Sequence, residues 1–168
     1  HKASHAYGVN GIITEVEVPL AEAVPWVDVL VAFDDTMTAA RFGHDLAHQD
    51  GLLTKEIAVV APSIAGAYFL RHKPFLPEGK AIAILMVAPS ATGGVETLAA
   101  RHGGEIVFRA DRMAPEDLKG LPPAFELSWN HTTLRALRVD PGVTYLQVLY
   151  PQPDILGNVA RMEARFGE

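Results

Sequence analysis

The chain has 168 residues, of which 49% are hydrophobic and 20% charged, and its 14 basic and 20 acidic residues give a formal net charge of −6. This composition is typical of one globular domain and excludes a wholly disordered chain. The acidic balance disfavours nucleic-acid binding, and no apolar run reaches the roughly 18 residues that a membrane span needs. The absence of cysteine excludes disulfides, thiolate catalysis and cysteine-ligated zinc, and it suits a cytoplasmic location.

The first half of the chain predicts three strands and two helices. The apolar and β-branched segments that favour strands are residues 11–18, 26–33 and 52–60. Asp34 and Asp35 predict the N-terminal cap of a helix that reaches about Gln49. Pro62 begins a shorter helix that ends near Arg71.

The second half predicts three more strands and three helices. The predicted strands are residues 81–87, 105–109 and 143–150, and the predicted helices are residues 90–102, 128–138 and 154–166. The polar, proline-containing segment 110–123 is predicted to be a loop with one helical turn at 115–118. The last helix shows one apolar stripe at i, i+4, i+7 and i+11, formed by Ile155, Val159, Met162 and Phe166.

The order of these elements predicts an α+β fold. Two strand–helix–strand units joined by a helix combine into a ferredoxin-like antiparallel sheet with helices packed on one face, plus an extra N-terminal strand. A doubly wound parallel sheet is the alternative, but it usually carries a glycine-rich phosphate-binding turn after its first strand. Here that turn contains Asp34 and Asp35, which would repel a phosphate.

The segment SHAYGVNGIITEV, residues 4–16, contains two glycines directly before a predicted strand. Glycines let a backbone approach a ligand closely. The segment resembles a motif near the end of the flavin-binding domain of FAD-linked oxidoreductases, the family of D-lactate dehydrogenases and glycolate oxidase subunits. There, Gly-x-x-Gly-Ile-(Ile/Val)-Thr-Glu leads into a strand, and Gly8, Gly11 and the run Ile12-Ile13-Thr14-Glu15 match it.

This resemblance implies a division of the chain and a cofactor. Residues 1–22 would be the last strand of a truncated FAD-binding domain, and residues 23–168 would form the ferredoxin-like cap or substrate domain. The cofactor of the parent protein would be FAD, and a fragment without the glycine-rich pyrophosphate loops would neither hold it nor be active alone. The residues implied to contact the flavin are Tyr7, Gly8, Asn10, Gly11 and Ile12.

A second cluster, Trp129 to Thr133 followed by Arg135 and Arg138, is a candidate substrate site. Arg135 would pair with a substrate carboxylate, His131 would take a hydroxyl proton during hydride transfer, and Asn130 lies beside them. The alternative is structural: Ser128 caps the helix, the arginines face water, and Trp129 packs in the core. Under either interpretation Trp129 and Leu134 are expected to serve packing.

His44 and His48 lie at i and i+4 of the first helix, a spacing that can place two imidazoles on one metal. No convincing third ligand accompanies them, so a solvated helix face is the better interpretation and no metal site is predicted.

Two functions of different classes follow. The first is a fragment of an FAD-dependent oxidoreductase that transfers a hydride from a small hydroxy acid or alcohol to flavin. The alternative is a stand-alone ferredoxin-like module that binds a small ligand and forms a homodimer, with residues 81–88 as part of the interface.

Overall fold

The computed structural model describes residues 8–148, 150 and 153–167. The strands are β1 (Val27–Phe33), β2 (Thr54–Val60), β3 (Ala81–Val87) and β4 (Glu105–Arg109). The helices are α1 (Thr36–Ala47), α2 (Pro62–Tyr68), α3 (Thr92–Arg101), α4 (Pro115–Leu118), α5 (Asn130–Val139) and α6 (Ile155–Phe166). Short 3-10 turns lie at Lys73–Phe75, Pro89–Ala91, Ala110–Arg112 and Ala124–Glu126. None of the helices described is long and apolar enough to cross a membrane.

The four strands form one antiparallel sheet in the order β2-β3-β1-β4. The helix after β1 and the helix after β3 are the two crossovers of a ferredoxin-like fold, so the predicted α+β fold class is confirmed. In the central pair, Val29 lies opposite Leu85 and Val27 opposite Val87. Every residue of β3 is buried, which makes this strand the centre of the molecule.

Alternate residues of the strands enter two separate cores, because successive side chains of a strand point to opposite faces of the sheet. On the first face, Val29 and Val31 pack with residues of α1 and α3, including Phe42. On the second face, Leu30 packs with Phe69 beside α2 and with other residues that follow β4. Helices α1 and α3 therefore pack on one face of the sheet, as predicted. The opposite face is covered as well, which the sequence did not indicate.

The helix boundaries follow local chemistry. Asp35 caps α1 as predicted: its Oδ1 accepts a hydrogen bond of 2.6 Å from the Thr38 backbone N–H, and its Oδ2 accepts one of 2.8 Å from the Thr38 hydroxyl. These bonds hold the pKa of the Asp35 carboxyl below its usual value. The predicted amphipathic last helix is also present, as α6, which packs against α1.

The predicted extra strand at residues 11–18 does not form. This segment has no regular secondary structure and is exposed throughout, with Ile12 92% exposed. A strand needs a partner for its backbone hydrogen bonds, and none of the four strands described pairs with these residues. Alternation alone therefore gave the wrong prediction, because it cannot supply the partner.

The predicted strand at residues 143–150 is also wrong for residues 143–148 and 150. These residues join no sheet, and Tyr145 instead donates a hydrogen bond to Asn130 Oδ1 at 2.5 Å, while its hydroxyl oxygen lies 2.9 Å from Gln147 Oε1. Their β-branched and aromatic composition favours a strand only where a ladder and a buried face exist.

The proposal that residues 81–88 contribute to a dimer interface is wrong as well. These residues form β3 and its continuation, which hydrogen-bond to strands on both sides and are covered on both faces. Their unbroken apolar run reflects burial inside one chain.

Gly104 tests the packing between β4 and the first core. A Cβ at this position would lie 2.4 Å from Phe33 Cε1 and 3.0 Å from Val31 Cγ1. Phe33 is buried and stacks on Phe42 with ring centroids 5.0 Å apart, so its ring cannot move without repacking the core. We expect Gly104→Ala to lower the free energy of unfolding by about 1–3 kcal/mol, measured by urea unfolding.

Gly93→Ala is the matched control. A Cβ at Gly93, in α3, would meet no atom within 4 Å, and alanine favours a helix over glycine by up to about 1 kcal/mol. This variant should be at least as stable as the wild type. Equal stability of the Gly93 and Gly104 variants would contradict the steric argument.

Candidate functional site

The segment that leads into α5 is held to the sheet by two buried or half-buried polar contacts. Asp28, on β1, accepts a hydrogen bond of 2.9 Å from the Ala124 backbone N–H. Ser128 is buried, and its hydroxyl donates to Glu56 Oε1 on β2. Burial raises the pKa of the Asp28 carboxyl, against the effects of the Ala124 hydrogen bond and of Lys55. The start of α5 is therefore fixed relative to two strands.

Trp129, directly after this anchor, has a strained backbone. Its φ of 53° and ψ of −136° make it the non-glycine residue with positive φ in the described chain, and its side chain is 72% exposed. The expectation that Trp129 and Leu134 serve core packing is wrong, since Leu134 is exposed too. Ser128 does not cap α5 either, because its hydroxyl is turned inward to Glu56. Strain of this kind is concentrated at functional sites.

The predicted residues Asn130 and His131 are also exposed. The Asn130 side-chain oxygen accepts the Tyr145 hydroxyl, and the His131 ring lies edge-on to Phe125 with centroids 6.2 Å apart. Five neighbouring residues of this region are exposed, and we call them the Trp129 patch: Phe125, Trp129, Asn130, His131 and Tyr145. The structure therefore brings two of the three predicted catalytic residues into one accessible surface.

Arg135, the third predicted catalytic residue, is half-buried and already paired. Its Nη2 donates to Glu126 Oε2 at 2.6 Å, and its Nε donates to the Glu126 backbone oxygen at 3.2 Å. His131, Arg135 and Arg138 lie at i, i+4 and i+7 of α5 and so share one helix face. Arg135 is not fully exposed to water, contrary to what the structural alternative expected. Glu126 also occupies two of its N–H donors, so only the remaining donors are available to a substrate carboxylate.

Two adjoining cavities open along this face of α5. Their volumes are about 130 Å³ and 310 Å³, and both are lined by Arg71, Pro122, Arg135 and Arg138. We call this pair of cavities the arginine cleft. No pattern in the sequence indicated Arg71, because the loop after α2 meets α5 only in the folded chain.

His72 lines the smaller cavity and is buried. In the described structure its Nδ1 has no hydrogen-bond partner, and its ring lies edge-on to Phe108. Burial, with a smaller contribution from the positive charge of Arg135, lowers its pKa to about 4, so the imidazole is neutral at pH 7. No sequence motif marked His72, which lies far along the chain from α5.

The residues implied to contact a flavin lie away from this corner, in the N-terminal segment. Gly8 and Gly11 have φ of 79° and 128°, values that favour glycine, and a Cβ at either position would meet no atom within 4 Å. Asn10 and Ile12 are exposed, while Tyr7 lies outside the described residues.

The histidine pair of α1 lies on the first face of the sheet. His48 Nδ1 lies 2.7 Å from the His44 backbone oxygen, and the two rings are 4.4 Å apart. Among the described residues, no three side chains of histidine, aspartate or glutamate are grouped to hold a metal ion. Asp45, on the same helix, also contacts His102 at 3.0 Å.

Comparison with models of known protein families found no match, and none of the curated proteins matches the chain.

The strain at Trp129 can be measured by substitution. Trp129→Gly and Trp129→Ala both remove the exposed indole, but only glycine adopts positive φ without steric cost. We expect the glycine variant to be more stable than the alanine variant by about 1 kcal/mol in urea unfolding.

The same pair at Leu134, exposed inside α5, provides the control. There glycine should be less stable than alanine by about 1 kcal/mol, since the backbone is helical. If alanine were also the more stable residue at position 129, the strain would not exist.

Proposed function

We propose that this chain is the substrate, or cap, domain of an FAD-dependent oxidoreductase that acts on a small hydroxy acid or alcohol. The observation that carries the proposal is the N-terminal segment. It matches the family's Gly-x-x-Gly-Ile-Ile-Thr-Glu pattern over Gly8–Glu15, and it lies off the sheet with its apolar side chains exposed. The ferredoxin-like fold agrees with the domain that follows this motif in the family, although one fold serves many functions.

The exposed apolar side chains of the N-terminal segment favour its burial against another domain. Ile12, Ile13, Val16 and Val18 are all exposed, although each is a large apolar residue. Side chains of this kind favour burial, and extended segments add readily to the edge of another sheet. A flavin-binding domain that accepts residues 11–18 as a strand would bury them and would supply the backbone hydrogen bonds that the four described strands do not.

FAD fits this chain in part. The open space beside Gly8 and Gly11 would let the backbone reach one edge of the flavin, and the exposed Ile12 would add an apolar contact. The diphosphate would have to be held by another domain, since these residues form no cradle for it. When bound, FAD would supply the acceptor for the hydride that leaves the substrate carbon.

The chain's own contribution to the chemistry would come from the Trp129 patch. His131 is accessible, and its imidazole beside a substrate hydroxyl would accept the hydroxyl proton as the hydride leaves the same carbon, giving a carbonyl product. Asn130 would orient the hydroxyl, and the strained Trp129 would present its indole to the substrate or to the neighbouring domain. Arg135, which is paired with Glu126, would contribute from the same face of α5, one turn beyond His131.

The alternative is a stand-alone dimeric binding module. The interface suggested for it, residues 81–88, is not accessible to a second copy, because β3 is central and buried. This alternative also leaves the exposed motif segment without a role. The flavoprotein proposal gives that segment a role.

The flavin contact is tested in the native gene product, purified with its bound cofactor. Gly8→Val should lower the flavin content at least tenfold, measured by the visible absorbance per protein, since a branched side chain blocks the close approach. Gly79→Val is the matched control, because Gly79 has a similar φ of 71° and the same open surroundings but lies outside the motif. A native protein without flavin, or equal flavin content in both variants, would refute the proposal.

The role of His131 is tested by steady-state kinetics on the same protein. His131→Gln should lower kcat for hydroxy-acid oxidation by about a hundredfold or more, with a smaller change in KM, since a general base acts on the chemical step. His48→Gln, on the opposite face of the sheet, serves as the control and should keep its rate. An unchanged kcat in the His131 variant would remove this residue from the mechanism.

A further inference from the structure

The arginine cleft concentrates positive charge in a chain whose net charge is −6. Among the described residues that line it are the guanidinium groups of Arg71, Arg135 and Arg138 and a single carboxylate, that of Glu126. Glu126 pairs with Arg135, so the charges of Arg71 and Arg138 are not neutralised by this carboxylate. The cleft is therefore suited to an anion.

Each arginine keeps hydrogen-bond donors available. Arg71 donates through Nη1 to the Gly120 backbone oxygen, and Arg135 uses Nε and Nη2 on Glu126. Within the described residues, Arg138 has no hydrogen bond or ion pair. A guanidinium carries five N–H donors in a planar fork that matches a carboxylate. The contacts to Gly120 and Glu126 hold two of the forks in place and leave the third free.

The smaller cavity adds an apolar wall to this charged one. Besides its arginines it is lined by Tyr68, Phe69, Leu127 and Val139. Its volume of about 130 Å³ is close to that of an apolar cavity of about 150 Å³ that holds benzene. The larger cavity opens to Glu126 and the prolines 122 and 123 and is the more polar of the two. A ligand with an anionic group at the arginines and a small apolar body in the smaller cavity would match these two linings.

His72 is a second, independent observation at the same place. It is buried in the wall of the smaller cavity, and its Nδ1 has no partner among the described residues. An unsatisfied buried nitrogen costs free energy and calls for an explanation. A ligand carboxylate that accepted a hydrogen bond from this nitrogen would satisfy it, and the neutral ring adds no charge to that of the arginines.

From this geometry we infer that the arginine cleft is a binding site for a small organic carboxylate with an apolar body, held by Arg138 and Arg71 beside the Arg135–Glu126 pair. The inference does not depend on the proposed oxidoreductase function, since it concerns binding alone. The apolar body would occupy the cavity beside Phe69 and His72.

The test is isothermal titration calorimetry of the native protein with three carboxylates of increasing apolar size: acetate, hexanoate and phenylacetate. Affinity should rise along this series, and the neutral analogue phenylacetamide should bind at least tenfold more weakly than phenylacetate. Arg138→Gln should weaken phenylacetate binding about tenfold or more without changing thermal stability. Its effect on folding is expected to be small because Arg138 is exposed and has no described partner.

Arg101→Gln is the matched control. Arg101 is likewise exposed and lies in the last turn of a ten-residue helix, α3, on the other face of the sheet, so this variant should bind phenylacetate as the wild type does. The inference fails if none of the carboxylates binds, if phenylacetamide binds equally well, or if both arginine variants behave alike. Binding of inorganic phosphate without phenylacetate would also overturn it. Because the readout is heat of binding, a negative result here leaves the flavin experiment unaffected.

Discussion

The structure depends on the pairing of β3 with β1 and β2. All seven residues of β3 are buried, so both of its faces must be covered by apolar groups and both of its edges must be hydrogen-bonded. Helices α1 and α3 cover one face, and the segments around α2 and after β4 cover the other. The second cover consists of loops and short helices together with α5, and the arginine cleft lies within it.

Two polar contacts fix part of that second cover relative to the sheet. The contacts from Asp28 to Ala124 and from Glu56 to Ser128 join the segment before α5 to the two strands β1 and β2. Immediately beyond them the backbone of Trp129 is strained and its indole is exposed. Rigid anchoring next to strain is typical of residues that are positioned for a ligand or a partner. The Trp129 patch lies at the N-terminal end of α5, and the arginine cleft runs along the helix face that carries Arg135 and Arg138.

The two proposals use different parts of this surface for related chemistry. The oxidoreductase proposal places His131 and Asn130 at the reacting group and leaves FAD to a neighbouring domain that pairs with the N-terminal segment. The arginine cleft, by contrast, is complete within this chain and would hold a carboxylate with or without a flavin. If both are correct, Arg135 connects them, since it lies one turn beyond His131 and lines the cleft.

Local patterns in the sequence determined a large part of the fold. The runs that became β1, β3, β4, α1 and α6 were predicted closely, because burial on two faces, a capping aspartate and an apolar stripe each leave a signature within a few residues. The segments 11–18 and 143–150 carried the same strand signature and formed no strand, since a strand also requires a partner that lies elsewhere. The positions of Asn130, His131 and Arg135 on one helix were likewise evident from their spacing. Only the tertiary structure decided that Trp129 faces solvent, that Glu126 pairs with Arg135, and that Arg71 and His72 join Arg138 around one cavity. Those contacts join residues up to about seventy positions apart in the chain, and no local pattern records which distant segments packing will bring together.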